Sequence, residues 1–284
     1  MNVLTKKRVR KIRRYTGITI NTIFKICVSL IFLFPFYWMV ITSLKPYLET
    51  LRFPPTMWPE TFTLSGYKTV FEEIEILRYI KNTVIVTATT IAFQLLVNVP
   101  AAYAFARYEF KGKGVAWACV MAAFMVPGQL TFMTTYFLFA DMGILNTLWP
   151  QILPSICSVF AIFLLRQTFK QVPEELIESA RLDNASEWKI IWRLMIPMSK
   201  ASLVTIMLFS FVGLWNSYFW PLVMTRDQSL QPITMAIERL KNLDQGLNYT
   251  DIMAGNVILI LPVVILFLIF TKQIIKAMAY RGVK

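Results

Sequence analysis

Six stretches of this chain run without a single Asp, Glu, Lys or Arg: residues 26–44, 83–106, 115–140, 142–165, 201–225 and 252–271. Charged residues return between them. A helix needs about 20 apolar residues to cross a hydrocarbon layer ~30 Å thick, and each stretch supplies them. Transmembrane β-strands would show segments of alternating polarity, and no such period-2 pattern appears. The pattern predicts an all-α integral membrane protein with six transmembrane helices. A mean hydropathy of +0.55 and a hydrophobic content of 56% agree, because a soluble chain of 284 residues could not bury that much apolar surface.

Every predicted span holds a proline: Pro35, Pro100, Pro127, Pro150 with Pro154, Pro221 and Pro262. Proline removes a backbone hydrogen bond, and lipid tolerates the loss only where neighbours satisfy the freed carbonyl. Kinked helices can frame a cavity, though they are common in membrane proteins of every kind. Cys27, Cys119 and Cys157 are widely spaced within spans, which reads as apolar packing rather than a metal site or a disulfide.

Charge orients the chain. With the N-terminus inside, the inner segments carry most of the 29 Lys and Arg. They include Lys6, Lys7, Arg8, Arg10, Lys11, Arg13 and Arg14, then Arg107, Lys111 and Lys113, then Arg166, Lys170, Arg181, Lys189, Arg193 and Lys200, and finally Lys272, Lys276, Arg281 and Lys284. The positive-inside rule therefore predicts both termini in the cytoplasm. A net charge of +13 then reports topology and contact with anionic membrane lipid rather than nucleic acid. Residues 1–25 form a basic cytoplasmic N-terminus. The apolar run behind them is too long for a secretory signal and lacks a small-residue cleavage site, so it reads as an uncleaved anchor that opens a transmembrane domain over 26–284.

Between the first two spans, Tyr67, Val70, Phe71, Ile74 and Leu77 recur at helical spacing among Lys68, Glu72, Glu73 and Glu75. This predicts an amphipathic helix at the membrane interface. The outer segment from Arg226 to Asp251 is polar, and is either a solvated loop or a partner contact. The inner loop 169–200 is the most structured in its signals. Pro173 suits a first helical turn, and Glu174 and Glu175 suit its positive dipole end. The helix runs to about Leu182, Asp183-Asn184 breaks it, and Ser186 caps a second helix carrying Trp188, Ile191, Trp192 and Leu194, closed by Pro197. A short helix pair with an apolar face and flanking charges fits docking into a groove of a soluble partner.

The residues of this loop resemble the EAA loop of ABC importer permeases: Glu-Ala-Ala, three residues, Gly, nine residues, Ile-x-Leu-Pro. Glu178-Ser179-Ala180 stands at the triplet, Asn184 at the glycine, and Leu194-x-Ile196-Pro197 at the end. Ser for Ala is benign, and Asn for Gly keeps tolerance of a left-handed turn. The likeness extends over nearly the whole chain to the carbohydrate, maltose-type permeases. It is carried by Phe53-Pro54-Pro55 to Trp58-Pro59, Asn82-Thr83, Ala102 to Arg107, Gly143 to Thr147, Leu214-Trp215-Asn216 and the Gln273 to Lys284 tail. The resemblance implies the type I ABC importer permease fold, in a bacterial cell membrane. It implies a heterodimer with a second permease, a cytoplasmic ATPase dimer and an extracytoplasmic sugar-binding protein. It also implies that Glu178 pairs with an arginine of the ATPase, with Ser179, Ala180, Asp183, Asn184, Leu194, Ile196 and Pro197 completing the coupling unit.

No phosphate-cradling Gly-x-x-x-x-Gly-Lys-Ser/Thr loop occurs, so if ATP drives the chain, as the resemblance implies, ATP and Mg sit on the partner ATPase, and the chain is expected to be non-catalytic, without a cofactor or metal of its own. An ion-coupled secondary transporter usually carries Asp, Glu or His within its spans, and these spans have none. An ABC permease for a non-sugar solute remains the alternative. Uncharged polar and aromatic residues suit a neutral sugar, which places Gln129, Trp215, Asn216 and Tyr218 as candidates for the substrate pathway. Packing or interhelical bonding accounts equally for Trp215 and Asn216.

Overall fold

The computed structural model describes the backbone of residues 3–72, 74–241 and 246–279, and the side chains of 19–72, 74–241 and 246–272. The described residues are helical, in chain order α1 (Val3–Ser43), α2 (Tyr47–Thr50), α3 (Ser65–Glu72), α4 (Ile76–Arg107), α5 (Lys113–Phe124), α6 (Gly128–Asp141), α7 (Trp149–Ile152), α8 (Val159–Phe169), α9 (Glu174–Leu182), α10 (Glu187–Met198), α11 (Lys200–Trp215), α12 (Phe219–Met224), α13 (Ile233–Arg239) and α14 (Tyr249–Ala279). By length and composition, four segments can cross a membrane: Thr19–Ser43, α4, Trp149–Phe169 and Tyr249–Lys272. The bent pairs α5–α6 and α10–α11 bring the number to as many as six.

The predicted spans therefore exist as apolar segments, but three are not single rods. Residues 115–140 divide into α5 and α6, bent by 98°. Proline constrains the residue before it and offers no N–H, so the helix stops ahead of Pro127, which stands extended before α6. Residues 142–148 are turns, and the next helix begins only at Trp149, with a non-helical step at Ser158. Residues 201–225 break after Trp215. Pro35, Pro100 and Pro262, by contrast, sit inside continuous helices. The amphipathic helix expected over 67–77 ends at Glu72, and Glu75 adopts a left-handed φ of 54° before α4 begins. All three cysteines are exposed on the chain rather than packed within it.

The chain divides into two compact units. The first joins residues 1–73 with 240–258. Here the strap after α1 is folded on itself. The buried Lys45 ammonium lies over the Trp38 ring and donates to the Thr56 carbonyl. The buried Glu49 carboxylate accepts from the Thr56 hydroxyl at 2.7 Å and from the Glu60 N–H at 3.1 Å. Burial alone would raise the Glu49 carboxyl, but these donors and those beside them hold it below the usual carboxylate range. The Thr250 hydroxyl closes the unit with a 2.9 Å bond to the Lys45 carbonyl.

Gly66, in α3, faces the same segment: a Cβ there would stand 2.7 Å from the Thr250 carbonyl oxygen. Gly66→Ala should therefore destabilise this unit by about 1–3 kcal/mol despite alanine's better helix propensity, because backbone cannot step aside as a side-chain tip would. A thermal melt of the purified protein in detergent checks this, and a melting temperature equal to or above the parent's refutes it.

The second unit, residues 74–239 and 259–284, is built on α4, which packs against α8, α11 and α13. Its apolar face joins Val99, Ala102, Ala161, Ile162, Leu165 and Ile206 in one buried core. Nearer its N-terminus the buried positions of α4 become polar, with Asn82, Thr83, Thr87, Thr90, Gln94 and Asn98. Four of these, Asn82, Thr83, Gln94 and Asn98, satisfy irregular backbone elsewhere. Gln94 donates to the Ser155 carbonyl at 2.6 Å, and Asn98 donates to the Ile156 carbonyl at 3.0 Å while accepting the Ser158 N–H at 3.1 Å. Asn82 donates to the Ser229 and Gln231 carbonyls at 2.7 and 3.0 Å, and Thr83 accepts the Ile233 N–H at 2.9 Å. Non-helical backbone is tolerated at membrane depth only with such partners. The segment after Arg226 is consequently no plain solvated loop: Gln231, Ile233, Met235, Ala236 and Ile237 are buried.

Candidate functional site

The loop 169–200 belongs to the second unit and folds as two helices across a tight turn. Helix α9 starts after Pro173 with Glu174 and Glu175 in its first turn, where carboxylates meet the positive end of the helix dipole. It ends in a Schellman turn. Asp183 is the C-cap and Asn184 follows at φ 54°. The Ala185 N–H reaches back to the Ala180 carbonyl and the Asn184 N–H to that of Arg181, both at 3.0 Å. Asparagine visits this left-handed region at less strain than most residues. Asn184→Val should loosen the turn by about 1–2 kcal/mol, raising the rate of tryptic cleavage in the loop about tenfold, whereas Asn184→Gly should leave it unchanged. Equal cleavage of all three proteins contradicts this.

Ser186 caps α10 by accepting the Lys189 N–H. The helix is π-helical over Ile191–Met195, and Ile190, Ile191 and Met195 are inserted into the core with Leu203 and Ile206. It turns into α11 through 84° at Ser199, just after Pro197. Helix α9 is different: only Ile177 is buried and Ala180 half-buried. Glu178 and Ser179 lie on its exposed side with Leu176, and Leu182 at its end is 84% exposed. Trp188 and Trp192 are also exposed on α10. Leu194 and Ile196 are half-buried against the core, and Pro197 is exposed. The predicted coupling residues thus divide into an outward group led by Glu178 and an inward group that anchors it. The outward surface combines the Glu178 carboxylate with large apolar side chains, which is the chemistry of a docking face.

Residues outside the predicted set fix this loop to the membrane helices. Arg107, the last residue of α4, is nearly buried, its side chain only 8% exposed. It donates to the Phe169 carbonyl at 2.6 Å, to the Val172 carbonyl and to the Glu174 carboxylate. Tyr103, one turn earlier and 1% exposed, donates from its hydroxyl to Glu187 Oε2 at 2.7 Å. Arg181 Nε donates to the other oxygen of the same carboxylate at 3.0 Å, which raises the Arg181 guanidinium above its usual value. Burial, with the Glu187 carboxylate alongside, also pushes up the neighbouring Tyr108 phenol. The sequence offered one signal for these contacts, a tyrosine and an arginine closing a span otherwise free of charge.

The pathway candidates gather at two bends. Trp215, Asn216 and Tyr218 occupy the break between α11 and α12, and Gln129 is exposed in the first turn of α6. Phe132, one turn beyond Gln129, packs on Phe219 and Trp220 at 4.8 and 5.1 Å, so α6 and α12 meet. Tyr218 is partly exposed and Asn216 exposed, its amide donating to the Val212 carbonyl at 2.8 Å. Trp215 is 2% exposed, stacked on Phe211, and its indole N–H reaches the Leu259 carbonyl at 2.9 Å in the turn before Pro262. Its contribution is to hold the bend, while Gln129, Asn216 and Tyr218 present polar groups outward.

The family model described as binding-protein-dependent transport system inner membrane component matches residues 12–280. The arabinooligosaccharides transport system permease protein AraQ of Halalkalibacterium halodurans is 29% identical, over 90% of this chain and 93% of its own. Protein LplC of Bacillus subtilis is 31% identical, over 78% of this chain and 74% of its own. The diacetylchitobiose uptake system permease protein NgcG of Streptomyces coelicolor is 26% identical, over 87% and 82%. Among solved structures, a chain of a bacterial ABC transporter involved in the import of the acidic polysaccharide alginate superposes with a TM-score of 0.82 at 23% identity, covering 92% of this chain and 97% of that one.

Proposed function

Because the chain belongs to the family of binding-protein-dependent transport system inner membrane components and has the type I ABC importer permease fold, we propose that it is one of two permease subunits of an ATP-driven importer of oligosaccharides. The observation that carries the reading is α9 itself, a helix held at both ends by the body of the protein yet exposed along the side that bears Glu178. Such a helix is built to be gripped. A cytoplasmic ATPase dimer is the partner in this reading, and ATP and Mg are bound there. An arginine of the ATPase pairs with Glu178, while Leu176, Leu182 and Trp188 fill a groove around the pair and exclude water from it. Both termini then lie in the cytoplasm, and the distribution of lysine and arginine supports that orientation.

On the opposite side of the membrane a binding protein delivers the sugar. The pathway runs between this chain and the second permease, past Gln129, Asn216 and Tyr218, with Trp215 bracing the bend. Hydroxyl-rich substrates are recognised by uncharged hydrogen-bonding groups and aromatic faces, and these residues offer both. The relatives whose names state a cargo, arabinooligosaccharides and diacetylchitobiose, support the carbohydrate class. The chain takes no part in ATP chemistry; closure of the ATPase dimer is converted into movement of the helices through α9 and α10.

The test is purification of the tagged chain from its own membranes in mild detergent, with the accompanying proteins identified by mass spectrometry. Recovery of an ABC-type ATPase and a second permease is the expected result. A homo-oligomer without an ATPase overturns the reading.

A further inference from the structure

We propose that Tyr103, Glu187 and Arg181 form the joint that carries movement of α9 into the membrane helix α4, with Tyr103 as its positioning residue; this rests on the importer reading above. Helix α9 reaches the apolar core through little more than Ile177. Its apolar grip is therefore slight, and its orientation depends on polar links at its two ends. At its start, Glu174 is bound by Arg107 of α4. At its last turn, Arg181 is bound by Glu187, whose second oxygen is held by the Tyr103 hydroxyl of α4.

The Arg181–Glu187 pair alone is weak mechanical linkage, since both side chains are more than a third exposed. The Tyr103 bond differs. Its hydroxyl donates to an ionised oxygen from a ring that is buried and packed edge-on against Tyr108 and Phe169, at centroid distances of 5.6 and 6.4 Å. An O–H to carboxylate bond of this kind is among the stronger hydrogen bonds in proteins, and the packed ring cannot swing to follow a departing acceptor. A displacement of the α9–α10 turn must therefore move α4 or break this bond. Helix α4 in turn carries the polar side chains that hold the segments 155–158 and 229–233, so its motion reaches both.

A tyrosine that merely satisfies its own buried hydroxyl predicts something else: its loss weakens assembly, and all activities fall together. The experiment reconstitutes the complete importer in proteoliposomes and measures sugar uptake and ATP hydrolysis on the same vesicles for Tyr103→Phe, Glu187→Gln and the double variant. The expected result is that the ATPase stays bound and hydrolyses ATP, while sugar moved per ATP falls about tenfold in each single variant, the effect of losing one charge-assisted bond. The double variant should be no worse than the poorer single one, because both changes cut the same link. A parallel fall of uptake and hydrolysis, an unchanged ratio, or independent effects that multiply in the double variant each overturn the joint. Absence of any ATPase from the unaltered complex defeats the importer reading instead, which keeps the two failures apart.

Discussion

Replacing Glu178 with alanine is expected to abolish uptake while leaving the protein in the membrane at its normal level. The side chain stands exposed on α9, and alanine is the better helix former, so neither the loop nor the core is disturbed. In the proposed docking on the ATPase, the cost falls at the interface. Truncating one member of a desolvated ion pair leaves the other charge buried without a partner, a loss of about 2–5 kcal/mol. At 1.4 kcal/mol per factor of ten, ATPase docking weakens by roughly thirty- to several-thousand-fold. Glu178→Asp, which keeps the charge on a shorter stem, should retain a fraction of uptake. Immunoblots of the membrane fraction together with uptake of a sugar that the parent strain imports measure both quantities. Normal uptake by Glu178→Ala ends the docking assignment.

Arg107→Met should produce the largest loss of stability. Methionine preserves much of the apolar stem, so the packing of α4 survives. What disappears is the guanidinium, which in the native chain serves the carbonyls of Phe169 and Val172 and the Glu174 carboxylate. Hydrogen bonds to a charged group contribute about 1.5–3 kcal/mol each, and buried carbonyls left without donors add their desolvation. The bond to the half-exposed Glu174 adds little, so the two carbonyl bonds set the loss at about 3–6 kcal/mol, a fall of order 10 °C in the melting temperature of the detergent-purified protein. Arg107→Lys should recover part of it, since a single ammonium can serve one or two of these acceptors but lacks the planar fork. Equal melting of Arg107→Met and the parent contradicts the assignment.

How much of this was legible beforehand depends on the range of the signal. The turn of the loop 169–200 was readable because Pro173, Asp183-Asn184 and Ser186 act on backbone within a few residues of themselves; Asn184 and Ser186 stand in the roles their chemistry suggests, and Pro173 stands one residue ahead of the first turn, as the N-cap. The existence of apolar spans was equally readable, since exclusion of charge is a property of composition. Their interruptions were not. A run without polar residues has no period to show where a helix stops, and proline alone is an ambiguous sign: Pro100 and Pro262 lie within helices, whereas a helix stops ahead of Pro127. What permits an interruption is a donor on another helix, as Gln94 and Asn98 provide for residues about 60 positions away. The same distance hid Arg107 and Tyr103, whose partners lie in a loop that the sequence showed as a separate unit. Trp215 was readable as an aromatic at a bend, but its burial and its bond to Leu259 depend on the last helix.

The polar side chains of α4 also have a bearing on biogenesis. Ribosomes deliver a membrane protein from its N-terminus, so Asn82, Gln94 and Asn98 enter the bilayer before the backbone at 155–158 and 229–233 that they serve. An unpaired peptide group in hydrocarbon costs several kcal/mol, which makes an interrupted span a poor substrate for insertion on its own. Here the waiting amides precede both of these segments along the chain. The later spans can then be received against an already inserted template instead of being left to find one another in lipid.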